Sequence, residues 1–326
     1  MSNLERDPAE FVAGDTAVIE NGAVELLEPR EVPLGGPRAM TVRRTLPQRK
    51  RSLIGGWCFI DHYGPDDVSV SGGMRVPPHP HTGLQTVSWL FAGEIEHRDS
   101  VGSHALVRPG ELNLMTAGRG ISHSEVSTDA TTMLHGVQLW VALPAAHRDA
   151  RPFFEHKVPN VSRLGEAEVR AFVGSLAGSS TDATVFSPLV GAQLTAPAGS
   201  TIEVPLDPAF EHGILVDSGE VSVDGVAVPV GHLAYLCPGR SSVEVALGGT
   251  DARLLLLGGE PLGEQIVMWW NFIGRSHDDV VRSREDWQRD VIKGVDPSGR
   301  FGVVTGYDGS PLPAPVLPTV RLKPRG

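Results

Sequence analysis

His79-Pro80-His81-Thr82-Gly83 and, further along, Ile121-Ser122-His123-Ser124-Glu125-Val126 each carry a pair of donor side chains spaced i, i+2. On an extended strand, residues i and i+2 point to the same face. Two such strands, side by side in one β-barrel, aim His79, His81, His123 and Glu125 at a single point inside it. Three imidazoles and one carboxylate make a mixed nitrogen and oxygen site. It suits Fe(II), Mn(II), Ni(II), Cu(II) or Zn(II), and suits Ca(II) or Mg(II) poorly. An octahedral ion held by four protein ligands keeps two positions open for water, substrate or dioxygen.

The imidazoles bind as neutral groups, each steadied by an acceptor on its other nitrogen. Glu125 supplies the anionic ligand and can also act as a base toward a bound phenol or enol. Gln85, four residues after His81, reads in two ways. It hydrogen-bonds a metal-bound water or Glu125, or it is a strand residue pointing elsewhere. His97 and His104 read as surface residues, Arg119 as a solvated turn residue, and Met115 and Trp89 as core.

The flanking sequence reads as β structure. Residues 39–46 form one strand. Trp57-Cys58-Phe59-Ile60-Asp61-His62-Tyr63 forms another, dense in aromatics and buried. Asp61 and His62 close it, with His62 expected to hydrogen-bond backbone at the strand end. Pro77, Pro78 and Pro80 demand an edge strand or a loop entering one. Residues 85–91 alternate and are β-branched or aromatic, hence a strand, and 93–99, 112–116, 121–126 and 134–143 follow. Ala117-Gly118-Arg119-Gly120 is a tight loop needing glycine conformations. Residues 144 to about 160 are a polar connection. A second set of strands runs from about Glu168 to Gly258, with a hairpin turn at Asp224-Gly225. The convincing helix comes late: Ser276 caps it, Asp278 and Asp279 sit in its first turn, and it runs to about Ile292. The tail from Pro311 is proline-rich and extended.

The chain has 326 residues and a mass of 34.8 kDa, room for two domains or one large one. Its 38 Gly and 26 Pro point to many short strands joined by turns. Lys+Arg 28 against Asp+Glu 39 gives a net charge of -11, which argues against a nucleic-acid surface. Cys58 and Cys237 make neither a disulfide framework nor a zinc motif. The charged start, Met1-Ser2-Asn3-Leu4-Glu5-Arg6-Asp7, lacks an apolar signal-peptide core, and no window reaches about eighteen apolar residues. A cytoplasmic location away from membranes is expected.

An internal repeat is visible. Gly93-Glu94-Ile95 resembles Gly219-Glu220-Val221. Carrying that offset back sets Pro205 against His79, Asp207 against His81 and Glu211 against Gln85. Matching Gly110 to Gly231 sets Glu244 against His123 and Ala246 against Glu125. Two copies of one β-barrel unit are implied, the second without a metal site.

Together with Glu96-His97-Arg98-Asp99-Ser100 and Arg108-Pro109-Gly110-Glu111, the block Met115-Thr116-Ala117-Gly118-Arg119-Gly120-Ile121-Ser122-His123-Ser124-Glu125 resembles the pirin family of the cupin superfamily. Gly258-Gly259-Glu260-Pro261-Leu262-Gly263-Glu264 is similar to the segment after that family's second barrel. The resemblance covers about residues 36–305. It implies a mainly all-β bicupin: two tandem β-barrel (double-stranded β-helix) domains with a short C-terminal helix. The divisions expected are 1–35 as an N-terminal extension, 36–150 as the metal-bearing cupin, 151–260 as a metal-free cupin and 261–326 as helix and tail. It implies metal ligands at His79, His81, His123 and Glu125, usually for iron, with Mn, Ni, Cu or Zn as other occupants. Gln85 stands where pirins commonly have Glu, and Leu114 where many have Trp; both changes reshape the pocket.

The function expected is that of a quercetin 2,3-dioxygenase, an oxidoreductase opening the ring of a flavonol or similar enolic aromatic substrate with O2 and releasing carbon monoxide. The alternative is a metal- or redox-sensing cofactor of transcription or metabolism that binds a protein partner without turnover. With this charge, such a partner would be protein and not DNA.

Overall fold

The central strands, such as residues 57–63, 84–90 and 134–142, are buried on both faces, while outer strands such as Ile95–Asp99 and Thr201–Pro205 alternate buried with more exposed positions. In this computed structural model, residues 23–34 and 40–324 are described. After β1 (Glu25–Leu27), the N-terminal unit comprises β2 (Arg30–Leu34), β3 (Met40–Leu46), β4 (Trp57–Asp67), β5 (Arg75–His81), β6 (Leu84–Ala92), β7 (Ile95–Asp99), β8 (His104–Val107), β9 (Leu112–Thr116), β10 (Ile121–Ser127), β11 (Met133–Ala142) and β12 (Phe153–Lys157). The C-terminal unit comprises β13 (Ser162–Leu164), β14 (Ala167–Leu176), β15 (Ser179–Thr181), β16 (Leu189–Ala196), β17 (Thr201–Pro205), β18 (Glu211–Ser218), β19 (Val221–Val223), β20 (Val226–Val228), β21 (Leu233–Leu236), β22 (Ser242–Leu247) and β23 (Ala252–Gly259).

Each unit is a large antiparallel sheet with a four-stranded sheet. In the first the orders are β12-β9-β6-β11-β4-β3-β2 and β5-β10-β7-β8. In the second they are β1-β21-β18-β23-β16-β14-β13 and β17-β22-β19-β20, with β15 on β14. Strand for strand the two orders correspond, so the repeat is structural: these are two cupin domains. Among the described residues, neither is closed by hydrogen bonds into a continuous barrel. The register refines the repeat: Ser242, not Glu244, stands opposite Pro205, as His123 stands opposite His79. No histidine occupies either position.

The end strands are exchanged. β1 pairs with β21 of the second cupin, Leu26 opposite Ala234. β12 pairs with β9 of the first, Phe154 opposite Met115. The supposed extension and the supposed polar connection therefore contain β1, β2 and β12. The rest of residues 1–35, outside 23–34, lies beyond the described residues. The two large sheets pack back to back on a shared core. Trp57, Trp89, Leu114 and Leu139 from one meet Phe172, Leu215, Leu255 and Leu257 from the other. Burying each such side chain is worth roughly 1.5–3 kcal/mol. Trp57 Nε1 donates across the junction to the carbonyls of Val190 (3.2 Å) and Gly258 (3.1 Å).

Several local expectations hold. β5, with its prolines, is an edge strand, and the register against β10 slips between Val76 and His79, where Pro77 and Pro78 lie. The Asp224-Gly225 turn has φ values of 47° and 77°, the left-handed pair that a two-residue hairpin requires. Helix α2 (His277–Asp286), preceded in the chain by the single-turn α1 (Val68–Ser71), has Ser276 and Asp279 in a reciprocal capping box. It continues as a π-helical turn from Trp287 to Ile292. The tail is extended but packed: Trp287 Nε1 donates to the Leu312 carbonyl at 2.9 Å, and Leu312, Ala314, Leu317 and Leu322 lie against Trp270 and Phe301. No helix among the described residues is long and apolar enough to cross a membrane.

Candidate metal centre

Cross-strand register brings the donors together. His123 on β10 faces His79 on β5, and Ile121 faces His81. With i, i+2 alternation on each strand, His79, His81 and His123 share the inner face. Their rings cluster at centroid distances of 5.0, 4.3 and 5.0 Å, and all three are buried. Trp140 of β11 lies edge-on to His81 at 5.2 Å. The approach loop is shaped by glycine. Gly118 has φ +50°, and a Cβ there would lie 1.9 Å from the Ala150 carbonyl oxygen. At Gly83, φ +70°, it would lie 2.4 Å from that of Ile273.

Nitrogen by nitrogen, the cluster fits a divalent ion. His79 Nδ1 donates to the Pro77 carbonyl at 2.8 Å, which leaves its Nε2 lone pair buried and without a partner. His123 Nδ1 is 3.3 Å from His97 Nδ1, and His97 Nε2 is 3.2 Å from Asp99 Oδ2. Asp99 is itself fixed, its Oδ1 accepting N–H bonds from Val101 (3.0 Å) and Ser103 (2.9 Å). An acceptor at that end sets the tautomers: His97 donates through Nε2, His123 donates through Nδ1, and the His123 Nε2 lone pair turns inward. There it lies 3.1 Å from His81 Nε2. Burial pushes the His79 imidazole down to about 4, against the pull of the Glu125 charge. It pushes His81 and His123 well below the ordinary range, helped by the neighbouring histidines. All three are thus neutral near pH 7, the form that binds metal.

Glu125 follows His123 by two on β10 and is 1% exposed. Ser88 Oγ lies 3.4 Å from Glu125 Oε1 and 2.9 Å from Gln138 Oε1. A hydroxyl donates to one acceptor only. Turning the Gln138 amide so that Nε2 faces Ser88 frees the hydroxyl to donate to Glu125.

For Gln85 the second of its two readings holds, and the expectations for His97 and His62 are corrected. Gln85 does not bond Glu125: its Nε2 donates to Thr116 Oγ1 and to the Thr184 carbonyl, both at 2.8 Å, because β6 sets Gln85 opposite Thr116 of β9. His97 is not a surface residue. It is 3% exposed, stacked on Phe154 at 4.5 Å, and joins His123 to Asp99. The signal was present: His97-x-Asp99 repeats the i, i+2 spacing of the other donor pairs. His62 does not end its strand and bonds no backbone. It lies within β4 and bonds Asp217 of the other cupin at 2.7 Å. His104 is exposed as expected.

Replacing Asp99 by Asn, which keeps the shape and removes the charge, is expected to weaken metal binding about 10- to 100-fold. Competition against a chromophoric chelator measures it. An unchanged affinity would disconnect Asp99 from the centre.

His62, His135 and Asp217 form a second cluster of potential donors, but its surroundings make it a junction between the domains. Asp217 Oδ1 is 2.7 Å from His62 Nε2 and 2.6 Å from His135 Nε2. Its Oδ2 accepts from Arg253 Nε at 2.7 Å. The Arg43 guanidinium stands 3.3 Å from His62 Nε2. Two arginines already supply the positive charge that an ion would bring. Burial alone would raise the Asp217 carboxyl, yet hydrogen bonds from His135 and His62 hold it well below the usual carboxylate range. His62 is pushed down, first by burial, with Asp217 opposing. Both groups titrate lower when folded, so acidification favours the unfolded chain, which takes up more protons. The His62 contribution is complete above about pH 6.5 and lost below it; that of Asp217 is complete above about pH 4 and lost below it. Thermal melts against pH are expected to show both declines, with the lower one reduced in Asp217→Asn.

The fold and its donor cluster define a bicupin with a candidate metal centre in its N-terminal half. The chain belongs to the pirin family: residues 39–141 match the Pirin model and residues 191–293 the Pirin C-terminal cupin domain. It is 43% identical over 291 residues to the Pseudomonas aeruginosa protein named "Putative quercetin 2,3-dioxygenase PA1205", covering 89% of both chains. A pirin-like protein of Caulobacter vibrioides is 35% identical, over 77% of this chain and 89% of its own. Among solved structures, a quercetin 2,3-dioxygenase from Acinetobacter baumannii superposes with a TM-score of 0.84 at 38% identity, over 92% of this chain and 98% of that one. The Escherichia coli pirin YhhW, solved in complex with nickel(II), shares the fold at a TM-score of 0.59 and 18% identity, over 73% of this chain and 100% of that one.

Proposed function

We propose that this chain is a metal-dependent dioxygenase of the quercetin 2,3-dioxygenase type, acting on a flavonol or similar enolic aromatic. The observation that carries the reading is the convergence of three neutral, buried imidazoles, with the buried Glu125 two residues beyond His123 on the same strand. The names of relatives that align along most of the chain support it. His79, His81, His123 and Glu125 would hold the ion. The family resemblance makes Fe(II) the expected ion, and the donor set accommodates Mn(II), Ni(II), Cu(II) or Zn(II) as well. A bound ion supplies a Lewis-acidic centre and, where redox-capable, a path for electrons to O2.

The chain's own groups do the rest. Glu125 accepts the proton of the substrate's enolic hydroxyl, which leaves the electron-rich enolate that dioxygen attacks. Ser88, backed by Gln138, positions the carboxylate. His97 and Asp99 orient His123. The aromatic wall at Trp140 helps to exclude water. Glu125→Gln keeps the shape and removes the base, so the rate of quercetin loss, followed by absorbance with carbon monoxide release, is expected to fall about 10²- to 10⁴-fold. A rate within twofold of the unaltered protein's would remove Glu125 from the mechanism.

A further inference from the structure

Away from the histidine cluster, arginines gather at one place. A cavity of about 150 Å³ opens beside the turn Thr82-Gly83, which follows β5, and the loop at Gly118, which leads into β10. Those two strands carry His81 and His123. Four guanidiniums line the cavity, each from a different part of the chain. Arg119 comes from the loop, Arg148 from the connection before β12, Arg282 from α2 and Arg300 from the segment after the π-helical turn. Apart from Ile273 the wall is polar or glycine.

This gathering of positive charge stands in a chain whose net charge is -11. Clustered like charges repel unless each is matched. Asp279 serves two of the four. Its Oδ2 accepts from Arg148 Nη1 at 3.3 Å, and its Oδ1 accepts from Arg282. The same carboxylate is also spent on the start of α2, where it accepts the N–H groups of Arg275 (2.9 Å) and Ser276 (3.0 Å). Asp286 pairs with Arg300 at 2.9 Å, and Asp149 with Arg148 at 3.4 Å. Among the described residues, the Arg119 side chain has no ion pair or hydrogen bond. Four guanidiniums thus meet three carboxylates, and one positive charge is left over. Burial pushes the Arg300 guanidinium below its ordinary value, with Asp286 opposing, so the carboxylate beside it does not offset the lost hydration. An anion in the cavity completes the balance.

Size and geometry narrow the choice of anion. A volume of about 150 Å³ is that of about five waters at roughly 30 Å³ each. It falls short of the roughly 300–1,000 Å³ typical of sites for drug-sized molecules. A lone carboxylate is satisfied by one guanidinium fork. Donors arriving from four segments suit a tetrahedral ion with an oxygen on every side, and guanidinium is the side chain of choice for such an ion.

We propose that this cavity is a binding site for free inorganic phosphate, held by Arg119, Arg148, Arg282 and Arg300 beside the ends of the two donor-bearing strands. The proposal does not rest on the dioxygenase reading.

The test titrates the full chain, loaded with Zn(II), with inorganic phosphate in Tris buffer at neutral pH by isothermal titration calorimetry. One ion per chain is expected. Arg119→Gln removes a charge-assisted hydrogen bond and should weaken binding about tenfold or more. Arg119 is exposed and unpaired, so its packing is not at stake. Arg282→Gln, on an exposed residue of α2, gives the same reading should that variant fail to fold. Phosphate also binds accessible metal ions, and His123→Ala, expected to be metal-free, separates the two sites: binding at the arginines survives it. The absence of saturable binding, binding indifferent to the arginine substitution, or binding lost in His123→Ala overturns the proposal.

Discussion

His123→Ala is expected to leave the chain folded, strip it of its bound ion and abolish quercetin turnover. His123 holds the middle of the cluster. It faces His79 across the β5–β10 pair, its Nε2 is 3.1 Å from that of His81, and its Nδ1 is tied to His97 and through it to Asp99. Losing a ligand should exceed the roughly 10- to 100-fold that an outer partner such as Asp99 is worth. The fold has little to lose, because the cluster confines three desolvated imidazoles packed against one another. Metal content by atomic emission and far-UV circular dichroism on the same sample separate the outcomes. A variant that keeps both its ion and its activity would show that His123 is no ligand.

Asp217→Ala should cost stability at a place remote from the chemistry. The carboxylate is fully buried and serves His62 and His135 of one cupin and Arg253 of its own. Removing one partner of a buried charged network leaves the others uncompensated, at about 3–5 kcal/mol. For a chain of this size the melting temperature should drop by roughly 10 °C. Asp217→Asn, which retains a hydrogen-bond acceptor, should cost less. The junction also has a large apolar core, so a single cooperative transition is expected to survive. A shift below about 2 °C for the alanine variant would mean that the network contributes nothing net.

The convergence of His79, His81 and His123 was legible because it depends only on period-two alternation and on two strands lying side by side. The repeat was legible because matched turn glycines mark matched hairpins. What escaped reading depends on partners far away in sequence. β1 is three residues long and β12 five; neither is patterned strongly enough to show that it completes the sheet it does. His62 looked like a strand end because Asp217, its partner, lies in the other cupin. His97 stands two residues before Asp99, the donor spacing of the other two pairs, so its place beside the site is legible in the sequence after all. The distance of Gln85 from His81 along the chain left its partner open between two readings, and the strand register decides for the one that turns it toward Thr116 and Thr184.

Oxygen uptake with quercetin is the measurement that bears most directly on the proposed activity. The protein is stripped of metal, reloaded separately with Fe(II), Mn(II), Ni(II), Cu(II) and Zn(II), and set beside His123→Ala. The account predicts O2 consumption matched to quercetin loss, dependent on a redox-capable ion and absent from the variant. No uptake with any ion, from protein that holds one tightly, would contradict the dioxygenase reading and turn the search toward a protein partner.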